Sequence, residues 1–189
     1  MRLFVAVELG GDCIHVATEI AARLRRDVDP KIRATWVAPA NMHLTVRFIG
    51  HVDEARAPAI LEALAPPLDI VPFDVELGGC GMFPPSGPPR VIWIGLAQGL
   101  PSLAAMHHEF DRRLLPFGFE PENRPFSAHL TLARIKDAPK GAGAVLREAL
   151  RKIPPPGVRS HITSATVFQS HLSPKGPRYE ALQHVPCRS

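Results

Sequence analysis

The sequence holds few cysteines, no long apolar run and no glycine-rich phosphate loop after any candidate strand, and each absence excludes something. Only Cys13, Cys80 and Cys187 occur, an odd number, widely spaced and without metal-like pairing. That argues against a disulfide framework and points to a reducing, cytoplasmic setting. The apolar stretch nearest the start, Leu3 to Val7, stops at Glu8 and lacks a small-residue cleavage site. It is too short to cross a bilayer and does not read as a secretory signal, so no membrane role is expected.

What is present suits a folded chain with a packed core. The chain has 189 residues, 46% of them apolar, enough for one compact domain or two tightly joined halves. Its 21 prolines fall mostly between candidate elements. The net charge of +4 permits a polyanionic substrate without demanding one. Basic residues are spread along the chain apart from short clusters such as Arg23, Arg25 and Arg26, a pattern more typical of a solvated face than of a nucleic-acid groove.

Periodicity gives the order of elements. Leu3 to Leu9 reads as a strand, and Asp12 as the cap of a helix whose apolar face is Cys13, Ala17, Ile20, Leu24 and Val28, ended by Pro30. A short strand at Trp36 to Val37, a clear one at His43 to Ile49, a helix at about Glu54 to Leu64 with Pro58 in its first turn, and an alternating strand through Phe73, Val75 and Leu77 follow. The second half repeats this order. It has a strand at Val91 to Leu96, a helix face of Leu103, Met106, Phe110 and Leu114, and a strand at His129 to Ile135. A helix through Val145, Leu146, Leu150 and Ile153 and a strand at Ile162 to Phe168 complete it. Ser170 to Arg178 reads as a loop and Tyr179 to Val185 as a final strand. The shifts agree: 88 from Leu3 to Val91, 90 from Cys13 to Leu103, 86 from His43 to His129 and 86 from Ile60 to Leu146. A near-constant shift implies duplication, with repeats at roughly 1–80 and 90–170 and a last strand at about 178–186 inside one domain spanning 1–189. Short alternating strands favour an α+β fold with largely antiparallel sheets, arranged as two lobes about a pseudo-twofold axis.

The repeated strand carries the chemistry. His43-Leu44-Thr45-Val46 and His129-Leu130-Thr131-Leu132 hold the same place in the two copies. On a strand, His and Thr share one face while the apolar neighbours enter the core. Two such pairs facing one cleft supply an acid, a base and two hydroxyl donors, which is what hydrolysis of a cyclic phosphate needs. One His-x-Thr alone usually marks a half-buried polar face; two at matching positions are a stronger signal. Arg134, five residues after His129, is the candidate cation for the phosphate, whereas Arg47 can point either way. No spaced Asp, Glu or Cys set completes a coordination shell around His43 and His129, so no metal is expected. His107 and His108, within a helix, read as surface or helix-face residues, as do His15, His51, His161, His171 and His184. Phe48, Phe126 and Trp36 can stack a base, though core packing is the commoner use, and Lys175 is a further phosphate candidate.

At these residues the chain resembles the two-histidine phosphoesterases, and within them the RNA 2',3'-cyclic phosphodiesterases, also called LigT-like or 2'-5' RNA ligase-like proteins. The resemblance extends from Arg2–Leu9 through Asn41–Gly50, Arg90–Leu96 and Asn123–Arg134 to Ser170–Tyr179. It implies a bilobal α+β fold with a central cleft and helices outside. It also implies hydrolysis of a 2',3'-cyclic phosphate on an RNA end to a 2'-phosphate, without metal or other cofactor. By the same resemblance His43 is the proton donor to the leaving 3' oxygen, His129 the base that activates water, and Thr45, Thr131 and Arg134 hold the phosphate. The expected partner is RNA or an oligonucleotide, with no obligatory protein partner and a monomeric state. Ligation of tRNA halves, the reverse chemistry, and a non-catalytic nucleotide-binding or RNA-binding module are the competing readings.

Overall fold

The computed structural model describes residues 1–28, 30–122, 125–173 and 176–188. Nine strands form one sheet: β1 (Arg2–Val7), β2 (Arg33–Trp36), β3 (Leu44–His51), β4 (Phe73–Phe83), β5 (Val91–Gln98), β6 (Leu130–Asp137), β7 (Arg159–Ile162), β8 (Ser164–His171) and β9 (Arg178–Pro186). Among the described residues four helices accompany them: α1 (Gly11–Asp27), α2 (Ala57–Leu64), α3 (Leu100–Leu114) and α4 (Ala142–Arg151). None of them is long and apolar enough to cross a membrane.

The strand order is β7-β4-β5-β6-β3-β1-β8-β9, with β2 on the free side of β6, and every pair of named strands is antiparallel. The fold is α+β as expected, but each half of the sheet mixes both halves of the sequence. One half is β3-β1-β8-β9, covered by α3 with α2 against it; the other is β7-β4-β5-β6 with β2, covered by α1 and α4. Among the described residues the ladder between the halves is a single residue pair, Leu44 with Leu130. Core side chains from both halves, among them Leu3, Leu44, Ile60, Leu77, Ile92, Leu103, Phe110 and Leu130, form one continuous cluster. A second, small cluster of Phe4, Ala6 and Phe168, with Tyr179 against it, packs separately from that core.

Several local expectations change. Asp12 does not cap α1: Gly10 holds the cap position and Asp12 lies in the first turn, where its charge still suits the helix dipole. The segment read as one strand from Ile162 to Phe168 is two strands, β7 and β8, broken at Thr163 and paired in different halves of the sheet. Val145 does not face the core but is 71% exposed, because the buried face of α4 is Ala142, Gly143, Leu146 and Leu150. Pro58 sits in the first turn of α2, where its missing N–H costs nothing.

Candidate active site

The pairing of Leu44 with Leu130 determines what the two motifs do in space. Antiparallel neighbours directly opposite one another point to the same face. Leu44 and Leu130 are wholly buried on the core side. Their neighbours therefore turn to the other face, with His43 set across from Thr131 and Thr45 across from His129. All four are partly exposed. One pocket beside this junction is lined by His43, Thr45, Thr131, Arg134, Thr35 and Tyr179, and a second by Thr45, His129, Phe48, Phe83, His107 and Phe126.

Simple alternation would put Arg134 on the core side, away from His129. It does not go there, because both repeated strands carry the same bulge. In β1–β3 the register shifts between Val5↔Arg47 and Ala6↔Thr45, leaving Val46 as the extra residue. In β5–β6 it shifts between Ile92↔Ala133 and Trp93↔Thr131, leaving Leu132 extra. A bulge resets which residues face which side. Val46 and Arg47 are both buried, as are Leu132 and Ala133, and the residues after them, Phe48 and Arg134, emerge exposed. Phe48 and Arg134 are thus equivalent positions of the two copies, each brought round to the side of its histidine. One pocket acquires a cation and the other an aromatic ring.

Each imidazole is held in the same way. His43 Nδ1 lies 2.8 Å from the Asn41 carbonyl and His129 Nδ1 2.8 Å from the Ser127 carbonyl. Nδ1–H donates to that oxygen, so Nε2 is the nitrogen left for chemistry in both rings. His43 Nε2 lies 3.1 Å from the Thr45 hydroxyl. His43 packs against Phe4 and the edge of Tyr179, with centroids 5.0 and 5.3 Å away, and His129 meets Phe83 edge-on at 5.0 Å. Trp93 flanks His129 at 6.3 Å and lies over Gly81, where a Cβ would come within 2.3 Å of the indole; only glycine leaves room for that ring. Asn41 Nδ2 donates to the Pro177 carbonyl at 2.9 Å, tying the loop before β3 to the segment before β9.

Burial lowers both histidines. His43 is pushed down to about 4, first by desolvation, then by the positive charges of Arg134 and His129, with the Asn41 carbonyl partly offsetting. His129 is lowered by desolvation and by Arg134, against the Ser127 carbonyl. Both rings are therefore neutral at pH 7 in the ligand-free protein. A bound phosphodiester anion opposes these effects and favours the imidazolium.

Arg47, His107 and Asp111 form a buried network that the sequence did not disclose. Arg47 turns inward, 5% exposed, with Nε 2.6 Å from Asp111 Oδ1, although the angle is not that of a hydrogen bond. Its other nitrogens reach the Glu120 carbonyl at 2.6 Å and Glu122 at 3.4 Å. His107 is not a surface residue: it is buried, with Nδ1 2.7 Å from the Val46 carbonyl, Nε2 3.2 Å from Asp111 and its ring stacked on Phe126. The network clamps the bulge of β3 and the chain approaching His129. His107, His108 and Asp111 also have the spacing of a metal cluster, but the Arg47 charge on Asp111 opposes a cation there. Asp111→Ala leaves Arg47 buried without its carboxylate and is expected to cost about 3–5 kcal/mol. Breaking the exposed Glu148–Lys152 pair should cost about 0.5 kcal/mol or less. Denaturant midpoints at constant slope check the contrast, and equal losses would contradict it.

Of the residues singled out from sequence, His43, Thr45, Thr131 and Arg134 share one pocket, and His129 lines the adjoining one with Thr45. Phe48 is half exposed beside them; Trp36 and Phe126 pack partly against the core and also line the first and the second pocket respectively. Lys175, Asn123 and Arg124 lie outside the described residues.

The family profile described as LigT like Phosphoesterase matches the chain twice, over residues 15–93 and 94–179. The chain belongs to the LigT-like phosphoesterases. A protein of Aeropyrum pernix named RNA 2',3'-cyclic phosphodiesterase is 39% identical over 170 residues, covering 89% of this chain and 95% of its own. One of Archaeoglobus fulgidus with the same name is 33% identical, covering 97% and 98%. Among solved structures, a Thermus thermophilus protein superimposes with a TM-score of 0.80 at 26% identity, covering 100% of this chain and 98% of that one. E. coli LigT complexed with 3'-AMP superimposes at 0.75 and 25% identity with the same coverage.

Proposed function

We propose that this LigT-like phosphoesterase opens 2',3'-cyclic phosphates on RNA ends to 2'-phosphates, acting as one unit over its whole length without a metal ion. The observation that supports this most is the antiparallel register at Leu44 and Leu130, which sets each histidine across from the other copy's threonine. His129 Nε2 removes a proton from a water that attacks phosphorus. The bond from phosphorus to the 3' oxygen breaks on the opposite side, and His43 Nε2–H delivers a proton to that oxygen. The 2' oxygen keeps the phosphate. Thr45 and Thr131 donate to its non-bridging oxygens and Arg134 balances its charge. Phe48, 50% exposed in the aromatic pocket, offers a face for the base of the terminal nucleotide. The names carried by the relatives agree with this chemistry. We place the enzyme in the cytoplasm as a monomer.

The test is product analysis by phosphorus NMR with a 2',3'-cyclic nucleotide in the presence of a chelator. A 2'-phosphate at an undiminished rate is expected; a 3'-phosphate, or loss of activity with chelator, refutes the assignment. Thr45→Val and Thr131→Val should each lower kcat by roughly fivefold, less than loss of a histidine, because one neutral hydrogen bond of about 1 kcal/mol is removed. Single-turnover rates check this, and an effect equal to that of a histidine variant would contradict the division of roles.

A further inference from the structure

Beyond the two pockets, the cleft-side charge of the sheet is uneven. On β6, Arg134 and Lys136 are exposed on one face, with buried Ile135 between them. Two residues along a strand span about 6.6–6.8 Å. On β2, Arg33 and Thr35 are exposed, while Ala34 between them and Trp36 after them pack toward the core. The ladder sets Thr35 opposite Arg134 and Arg33 opposite Asp137, with a register shift that leaves Lys136 as the extra residue. Arg33, Thr35, Arg134 and Lys136 therefore line one continuous strip leading out of the His43 pocket, of which Thr35 and Arg134 are already walls, and Asp137 stands opposite Arg33 at its outer end. Among the described residues neither Arg33 nor Lys136 makes an ion pair or a side-chain hydrogen bond, and Asp137 pairs with neither.

The other lobe has no such strip. Its positions equivalent to Arg134 and Lys136 are Phe48 and Gly50. Arg178 on that side is held by Glu180 at 3.5 Å. Arg2 stands at the outer end of β1, with Phe4 between it and His43 along the strand.

We infer that the RNA chain upstream of the cyclic phosphate runs along the β2–β6 ladder, with Lys136 and Arg33 contacting its backbone phosphates beyond Arg134. This rests on the cyclic phosphodiesterase reading. Unpaired cations at the spacing of a strand suit a flexible polyanion, and phosphate contacts of this kind give affinity without base specificity. A cyclic mononucleotide has no upstream phosphates and leaves the strip unused.

The test compares a 2',3'-cyclic mononucleotide with a short oligoribonucleotide ending in the same group, using wild type and the double variant Arg33→Ala, Lys136→Ala. On the oligonucleotide at low salt, kcat/KM should fall about tenfold or more. The salt dependence should flatten by a log–log slope of about 1.4, from about 0.7 per phosphate contact on a single strand. On the mononucleotide, kcat/KM should stay within about twofold. An equal effect on both substrates, no effect on the oligonucleotide, or a larger effect from Arg2→Ala overturns the track. Wild type that turns over neither substrate refutes the phosphodiesterase reading instead. In that case anisotropy with the labelled oligonucleotide decides the track by the same comparison, unchanged affinity in the double variant overturning it.

Discussion

His43→Ala and His129→Ala are each expected to lower kcat by about 10²–10⁴, the usual worth of one positioned proton transfer. The fold should survive, because both rings sit at the cleft and the core beneath them is Leu44 and Leu130. Circular dichroism and denaturant midpoints report on folding separately from rate. The double variant should be little worse than the slower single one, since residues that act as a unit are not additive. Wild-type rates in either single variant would contradict the account. The pH dependence carries a second signature. kcat/KM reports the free enzyme, in which one ring must be protonated and the other neutral. His43 is lowered to about 4 and His129 is also lowered, so both limbs of the bell lie below 6.5 and the optimum is acidic. In the bound complex the phosphate anion stabilises the imidazolium, so the basic limb of kcat moves to higher pH. The limbs belong to the coupled pair rather than to either ring. Identical profiles for kcat and kcat/KM would show that substrate does not sit between these groups.

Arg134→Met should cost about 10²–10³ in kcat/KM, the range for a preorganised donor at developing charge. It should also shift the pH profile. Arg134 lowers both His43 and His129, so its removal raises both, and the kcat/KM bell moves to higher pH. A purely structural arginine would change rate without moving the limbs. Arg134→Lys keeps the charge but not the planar fork, so the bell should stay near its wild-type position while the rate recovers only in part. If Arg134→Met leaves both the rate and the profile unchanged, the cation is not at the phosphate.

Much of this was legible in the sequence because it rests on local periodicity. The helix faces of α1 and α3, the repeat order and the two His-x-Thr pairs all follow from spacings of two, three and four. What escaped depends on partners distant in sequence. Nothing local tells β8 to pair with β1, or β4 with β7, so the exchange of strands between lobes was invisible. Arg47 turns inward because Asp111, 64 residues later, waits beneath it. The bulge did leave a trace. Leu44, Val46 and Ile49, and likewise Leu130, Leu132 and Ile135, are spaced two and then three, where an unbroken strand would keep two throughout. That slip puts Phe48 and Arg134 on the side of the histidines, and reading it would have related them as equivalents. Asp12 was misassigned for a different reason: an acidic residue one turn-position inside a helix resembles a cap in sequence, and here glycine takes the cap.

The central claim is that imidazoles from two halves of the chain meet one phosphate. Histidine-selective NMR during titration with a 2'-phosphomonoester tests it most directly. One equivalent of ligand should perturb the His43 and His129 ring signals together, and the midpoint of His43 should rise from near 4. Rings that respond at different ligand concentrations, or that titrate near 6.5 with and without ligand, would contradict it.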